Sequence, residues 1–127
     1  MRIARTLLDE LVAHALEDAP NECCGMVATR DGDAVRVHRV RNATPSPFGF
    51  VMDSMDQYRA TMAIEDDDLE IGAMYHSHTR TDPYPSQTDI SFAQGWGPQT
   101  LWVIVGLAGG APVIRTYRID GADVREL

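Results

Sequence analysis

Two histidines one residue apart, His76 and His78, close a stretch of the chain that predicts a β-strand. Side chains two residues apart on a strand point to the same face, so both imidazoles can converge on one metal ion. Asp89 begins a predicted helix after a short loop, which allows the loop to fold back and bring a carboxylate to the pair. Two imidazoles and one carboxylate are a ligand set that zinc uses in catalysis, with the fourth position open to water. These three residues are therefore predicted to hold one zinc ion per chain.

A zinc ion in such a site makes hydroxide available near neutral pH and polarises a scissile carbonyl, but the reaction also needs a base. Glu22, just before the first predicted strand, is the candidate for holding the water and passing its proton to the leaving amine.

Each of these residues has a simpler interpretation when it is taken alone. A His-x-His pair is usually two polar side chains on a solvated strand face, and Glu22 alone would be a surface carboxylate. Ser86 and Asp89 have the spacing of a helix capping box, although Glu or Gln is the usual residue at the second of those positions. The separate interpretations do not explain why the residues occur together at this spacing, whereas a metal site does.

The segments around these residues predict alternating helices and strands. Apolar residues at helical spacing predict a first helix from Thr6 to Asp18, which Pro20 ends. A turn sequence at Asp31-Gly32-Asp33 predicts a hairpin between the first two strands. The other predicted elements are strands at Cys24–Arg30, Ala34–Arg41, Phe50–Met52, Glu70–His78, Leu101–Leu107 and Pro112–Ile119, and a helix at Gln87–Gln94.

A further helix is predicted to begin at Ser54, which would cap it, and to turn Met55, Tyr58 and Met62 toward the core. It ends in the acidic run Glu65–Asp68, which is interpreted as a solvated helix end. The mixture of elements predicts an α/β fold with helices packed against a sheet, in three layers if both faces are covered. The length predicts that residues 1–127 form a single domain.

Composition excludes several kinds of partner. A net charge of -8 and a pI near 4.7 argue against nucleic acid and anionic membranes. No apolar run approaches the length of a membrane span. Cys23 and Cys24 are adjacent, with α-carbons about 3.8 Å apart, which is closer than an unstrained disulfide usually allows. We therefore expect a cytoplasmic protein without disulfides.

Several other polar and aromatic residues have open or structural interpretations. Asn42 and Ser77 are either ordinary turn and strand residues or supports of the site through hydrogen bonds. His14 and His38 are expected at the surface, and Trp102 is expected to anchor the core or a loop.

The run His76-Ser77-His78, seven residues, Ser86, two residues, Asp89 matches the JAMM motif His-x-His-x7-Ser-x2-Asp throughout. The segment Pro20–Gly25 resembles the glutamate motif that precedes it in the JAMM/MPN+ zinc metallopeptidases. The resemblance covers essentially the whole chain and implies the family's cytidine-deaminase-like three-layer sandwich, with a central mixed β-sheet flanked by helices. It also implies that His76, His78 and Asp89 are zinc ligands, that Glu22 is the general acid/base and that Ser86 stabilises the oxyanion.

Within this family the chain is similar to compact bacterial peptidases that act on small sulfur-carrier proteins with ubiquitin-like folds. The stretches Arg41–Pro47 and His76–Asp89 carry that resemblance. It implies a separate carrier chain ending in Gly-Gly, from which cysteine is released during cysteine biosynthesis. Two alternatives stay open: removal of ubiquitin-like tags from protein lysines, and a non-catalytic MPN-type module that binds a tail without cutting it. The oligomeric state stays open as well.

Overall fold

The computed structural model describes residues 1–127, which form three helices and six strands. In chain order they are α1 (Arg5–Asp18), β1 (Cys24–Arg30), β2 (Asp33–Val40), α2 (Ser54–Asp66), β3 (Glu70–His78), α3 (Gln87–Ala93), β4 (Leu101–Gly106), β5 (Val113–Asp120) and β6 (Asp123–Glu126). None of the helices has both the length and the apolar character needed to cross a membrane.

The strand that carries both histidines lies in the interior of the sheet, whose order is β2-β1-β3-β4-β5-β6. Strands β3 and β4 are parallel and every other neighbouring pair is antiparallel, so the sheet is mixed. Because β1 runs antiparallel to β3, with Cys24 paired to His76, the beginning of β1 lies beside the end of β3. This pairing brings Glu22, two residues before β1, to the strand end that carries the histidines.

Different helices cover the two faces of the sheet. Side chains alternate between the faces along each strand, so neighbouring residues enter different cores. Helix α1 covers one face, where Leu11 packs in a core with Tyr75. Helices α2 and α3 cover the other face, where Ile64 and Ala93 pack in a core with Trp102. The predicted three-layer sandwich with a central mixed sheet is confirmed, and so is the structural role of Trp102.

Gly25 lets the ring of Tyr75 lie across β1. A Cβ atom at Gly25 would lie 2.3 Å from a ring carbon of Tyr75 and 2.5 Å from the carbonyl oxygen of His38, so no larger residue fits. The Tyr75 hydroxyl is hydrogen-bonded to Nδ1 of His14 at 2.7 Å. His14 is buried by this contact, and its predicted surface position is wrong; His38 is half-buried.

The predicted inward face of α2 is also wrong. Met55, Tyr58 and Met62 are exposed, and the helix instead packs on the sheet through Ala60 and Ile64. Both sets of residues recur at helical spacing, so periodicity alone did not distinguish the two faces.

Three smaller details differ from the predictions. The cap of α2 is Asp53 rather than Ser54, because the Asp53 carboxylate accepts a hydrogen bond from the Asp56 N–H at 2.9 Å. The predicted strand Phe50–Met52 is reduced to an isolated bridge at Met52. Strand β6 was not predicted. The other predicted helices and strands are confirmed, with ends that differ by no more than one residue.

Candidate metal centre

The two motif histidines meet at the end of β3. His76 and His78 follow Met74 at intervals of two, so they lie on the sheet face that α3 covers. Both side chains are buried, and their Nε2 atoms are 3.1 Å apart. The predicted convergence of the two imidazoles is therefore present in the structure.

Asp89 reaches the histidines from the first turn of α3. Its Oδ2 atom lies 3.0 Å from Nε2 of His76 and 3.1 Å from Nε2 of His78. The same oxygen accepts the Ser86 backbone N–H at 2.9 Å, while the Ser86 hydroxyl oxygen accepts the Asp89 N–H at 3.1 Å. The capping box and the metal-site geometry are thus both present, and the cap fixes the direction of the Asp89 carboxylate.

The three converging atoms form a triangle that fits a tetrahedral zinc ion. Its sides are 3.0, 3.1 and 3.1 Å. Zinc bound to nitrogen and oxygen at about 2.0–2.1 Å holds its ligand atoms about 3.3 Å apart, close to these values. The donor set, two imidazoles and a carboxylate, is also one that zinc uses in catalytic sites. The residues present therefore fit the ion that the motif implies.

Hydrogen bonds to His78 and Asp89 set their charges. Burial alone would lower the pKa of His78, but hydrogen bonds to Asp89 and to the Asp82 carbonyl outweigh it, so its pKa is raised. Burial alone would raise the pKa of Asp89, yet the two imidazoles and the Ser86 N–H hold that pKa well below its usual range. Asp89 is therefore a carboxylate. A metal cation in the triangle would replace the imidazole protons that face this carboxylate and would balance its negative charge.

Each imidazole is oriented by a different second contact. Nδ1 of His78 lies 2.7 Å from the carbonyl oxygen of Asp82, an acceptor, so Nδ1 carries a proton, and a metal ion in the triangle would be bound by Nε2. Nδ1 of His76 is buried without a hydrogen-bond partner, and the ring packs instead on Phe50 at a centroid distance of 4.7 Å. Sequence reasoning missed both contacts, because a backbone carbonyl and a single loop aromatic leave no pattern in the sequence.

Glu22 stands beside this triangle. One carboxylate oxygen of Glu22 and one ring nitrogen from each of His76 and His78 all lie within 4.8 Å of one another. The side chain is buried, and burial raises the pKa of Glu22 to about 7; the charge of His78 opposes this shift and that of Asp89 adds to it. A cleft of about 370 Å³ is lined by Glu22, His78 and Ser86, so all five predicted site residues meet at one place.

Asn42 and Ser77 hold the segment that carries Glu22. The Asn42 side chain donates to the Glu22 carbonyl at 3.0 Å. The hydroxyl of Ser77 accepts the Cys23 N–H at 2.8 Å, and the Ser77 N–H donates to the Cys23 carbonyl at 3.2 Å. Both interpretations left open by the sequence fit these contacts: the two side chains hold the Glu22 segment, while Asn42 also accepts the Thr44 N–H in a turn and Ser77 is a residue of β3.

The cleft has an aromatic rim that sequence reasoning did not assign. Phe48 and Tyr84 line it together with Thr81 and Asp82. Phe48 comes from the loop before α2 and Tyr84 from the loop between β3 and α3. Pairs of exposed aromatics become a recognisable feature only when the fold brings their loops to the same cleft.

Comparisons with known proteins show which family the chain belongs to. Residues 4–120 match the family described as prokaryotic homologs of the JAB domain. The CysO-cysteine peptidase of Mycobacterium tuberculosis is 38% identical over 128 residues, covering 98% of this chain and 86% of that protein. The desampylase of Haloferax volcanii is 34% identical over 135 residues, covering 100% of this chain and 93% of that protein.

Solved structures share the fold. A Desulfitobacterium hafniense protein solved in solution has a TM-score of 0.86 at 30% identity, covering 99% of this chain and 88% of that one. A JAB1/MPN domain protein from Archaeoglobus fulgidus has a TM-score of 0.66 at 18% identity, covering 100% of this chain and 94% of that one. The chain therefore belongs to the prokaryotic JAB family of JAMM/MPN proteins.

Proposed function

We propose that residues 1–127 form a single-domain zinc peptidase that acts in the cytoplasm. It cleaves the bond after the C-terminal Gly-Gly of a small ubiquitin-like sulfur carrier and thereby releases cysteine. The observation that carries this proposal is the convergence of His76, His78 and Asp89 with Glu22 beside them. A relative named CysO-cysteine peptidase supports the choice of substrate.

The metal would be held by Nε2 of His76, Nε2 of His78 and Oδ2 of Asp89, one ion per chain. When bound, zinc in such a site polarises a scissile carbonyl and acidifies a water molecule. The chain's own contribution is to orient the ligands before the metal arrives: the Ser86 cap holds Asp89, the Asp82 carbonyl holds His78, and the Phe50 ring packs on His76.

Glu22 would carry the proton through the reaction. Its carboxylate takes a proton from the attacking water as the new C–O bond forms. When the C–N bond breaks, Glu22 gives that proton to the leaving amine, so the products are the carrier carboxylate and free cysteine. The backbone contacts to Asn42 and Ser46 hold the Glu22 segment against the cleft during both transfers.

Ser86 would stabilise the oxyanion without giving up its cap. Its oxygen accepts the Asp89 N–H, which leaves the hydroxyl hydrogen free to donate. Because Ser86 lines the same cleft as Glu22, that hydrogen can point to a carbonyl oxygen on which negative charge develops.

A second candidate is the removal of ubiquitin-like tags from protein lysines. The specific observation in its favour is the match of 100% of this chain to 93% of a relative named desampylase. Both reactions break a bond formed by a carrier carboxyl group, so they differ only in the amine that leaves.

The test is cleavage of matched conjugates by the zinc-loaded protein, followed by mass spectrometry of the products. One conjugate joins the carrier carboxyl to cysteine and the other joins it to a lysine side chain. We expect preferential release of cysteine, loss of activity with a chelator, and loss of activity with retained zinc in Glu22→Gln. The exposed Glu10→Gln is the matched control and should behave like the parent.

Each contrary outcome has a distinct meaning. Preference for the lysine conjugate would favour tag removal. Failure to cut either conjugate with zinc bound would favour the non-catalytic module. An active Glu22→Gln enzyme would refute the assignment of the base.

A further inference from the structure

One arginine beside the cleft has no partner within the chain. All 11 basic side chains are arginines, and 19 acidic side chains outnumber them, so a shortage of carboxylates does not explain an unpaired one. Six arginines form ion pairs: Arg2, Arg5, Arg36, Arg39, Arg41 and Arg115. Arg30 and Arg118 donate to backbone carbonyls. The remaining three are Arg59 on α2, Arg125 on β6, and Arg80 on the loop between β3 and α3, which lines the cleft.

Arg80 is held beside the cleft at both ends of its side chain. The residue before it, Thr79, donates its hydroxyl to the Pro20 carbonyl at 2.8 Å, and Pro20 lies two residues before Glu22. The guanidinium carbon of Arg80 lies 5.7 Å from the centroid of the Phe48 ring, which lines the cleft. An aromatic face attracts the cation without accepting its N–H groups as a carboxylate would. Arg80 therefore has a defined position while its hydrogen-bond donors stay free.

The cleft is otherwise unfavourable for an anionic group. Its lining includes the acidic side chains of Glu22 and Asp82 but no arginine. A carboxylate on the substrate would meet groups of its own charge there, unless a cation beside the cleft offset the repulsion. Arg80 is the one unpaired arginine on a loop that lines the cleft, so it is the residue that can supply this cation.

The two candidate leaving groups differ in charge close to the bond that breaks. In a conjugate of the carrier with cysteine, the carbon bonded to the scissile nitrogen bears the free α-carboxylate of cysteine. In a lysine isopeptide the carbon bonded to that nitrogen is a methylene group, and the lysine carboxyl is part of a peptide bond. A cation beside the cleft therefore favours the first leaving group over the second.

We infer that Arg80 binds the α-carboxylate of the amino acid that is released, and that it thereby sets the preference for a terminal amino acid over an isopeptide. This inference rests on the proposed function, because it takes the scissile bond to lie between Glu22 and the metal triangle. The planar guanidinium donates two parallel hydrogen bonds to one carboxylate. Its contact with Phe48 limits the side-chain freedom that would otherwise be lost on binding.

The experiment removes one charge from the substrate. Ligation of a carrier thioester to cysteine gives a conjugate with a free terminal carboxylate, and ligation to cysteinamide gives the same conjugate without that charge. We expect the parent enzyme to cleave the carboxylate form with a kcat/KM about 10-fold above that of the amide form, which is the contribution of a hydrogen bond to a charged group. Added salt should reduce this ratio, because it screens the pair of charges.

The variants separate Arg80 from the rest of the site. Arg80→Gln should bring the ratio to about 1 by lowering kcat/KM for the carboxylate form alone, with kcat/KM for the amide form and for a lysine isopeptide, and the zinc content, as in the parent. Arg80→Lys keeps the charge but not the planar fork, and should give an intermediate ratio. Arg125→Gln is the matched control, since it removes an exposed, unpaired arginine from the far edge of the sheet. It should behave like the parent.

Two results would overturn the inference: a ratio near 1 in the parent, or a ratio that Arg80→Gln leaves unchanged. A parent that cleaves no conjugate would instead refute the proposed function. Calorimetric titration of the zinc-loaded parent and Arg80→Gln with the two conjugates would then decide the role of Arg80 separately. Tighter binding of the carboxylate form by the parent alone would support that role, and equal affinities would reject it.

Discussion

Asn42 joins the segment of the proposed base to the loop that leads into α2. Its Nδ2 atom donates to the carbonyls of Glu22 at 3.0 Å and Gly49 at 3.2 Å. Its Oδ1 atom accepts from the N–H groups of Thr44 and Val51, both at 3.1 Å. All four partners are backbone groups, so this one side chain determines the path of both segments.

Replacement of Asn42 by alanine removes the four bonds together. At about 1 kcal/mol net for each bond, and with water recovering part of the loss, the free energy of unfolding should fall by about 2–4 kcal/mol. For a slope of about 2 kcal/mol per molar urea, the midpoint should fall by about 1–2 M. Turnover should fall on the order of 10²-fold, because a displacement of Glu22 by about 1 Å spoils the alignment of the reacting groups.

Urea unfolding followed by tryptophan fluorescence would measure this change, with two further variants for comparison. Asn21→Ala is the matched control, since the Asn21 side chain makes no hydrogen bond within the chain, and should resemble the parent. Asn42→Asp keeps the two acceptor contacts but turns a carboxylate oxygen toward the carbonyls of Glu22 and Gly49. It should be less stable than Asn42→Ala by about 1–3 kcal/mol. An Asn42→Asp protein as stable as the parent, or an Asn42→Ala protein as active as Asn21→Ala, would refute the reasoning.

Three other predictions concern the cap, the loop and the thiols. Ser86→Ala should lower the free energy of unfolding by about 1 kcal/mol and turnover by about 10²- to 10³-fold, and Ser86→Thr should restore both. A Ser86→Ala protein that is less stable but turns over as fast as the parent would leave Ser86 only its capping role. Gly106→Ala should weaken zinc binding, measured by competition with a chromogenic chelator. The added Cβ would lie 2.9 Å from the Pro83 ring and would push away the loop whose Asp82 carbonyl contacts His78. Unchanged zinc affinity would show that the loop can move without disturbing His78. Burial raises the pKa of both Cys23 and Cys24 to about 12. A disulfide reagent at pH 8 should therefore react with no thiol in the native protein and with two thiols in urea. Rapid reaction of the native protein would contradict the burial of these cysteines.

The first and last residues of strand β3, which carries the histidines, could be predicted from the sequence. The side of α2 that packs on the sheet could not. Strand β3 is a nearly continuous apolar run that ends in three polar residues, so its extent is visible in the sequence. Helix α2 has apolar residues on two opposite sides, and the side with the larger residues is the one that faces solvent. Burial of Ala60 follows from close packing against the sheet, which the size of its side chain does not indicate.

Two other errors have a common origin in long-range contacts. His14 looks like a surface residue on an amphipathic helix until Tyr75, 61 residues away, supplies a buried partner for its ring. Strand β6 has a polar sequence and exists only because the turn at Gly121, with φ of 59°, returns the chain alongside β5. The convergence of His76, His78 and Asp89 was predictable for the opposite reason, since it depends on local spacing.

The antiparallel pairing of β1 with β3 also sets the order in which the site can assemble. The three proposed ligands are local in the chain, with His76 and Asp89 only 13 residues apart. The contacts that place Glu22 join residues as far as 54 apart. Closing a short loop is faster than forming such a distant pairing, so an immature chain would present ligands without its base. Recovery of hydrolytic activity during refolding would therefore report the pairing of β1 with β3 rather than the binding of the metal ion. A partly folded chain in which these strands have not paired would bind metal without hydrolysing a substrate.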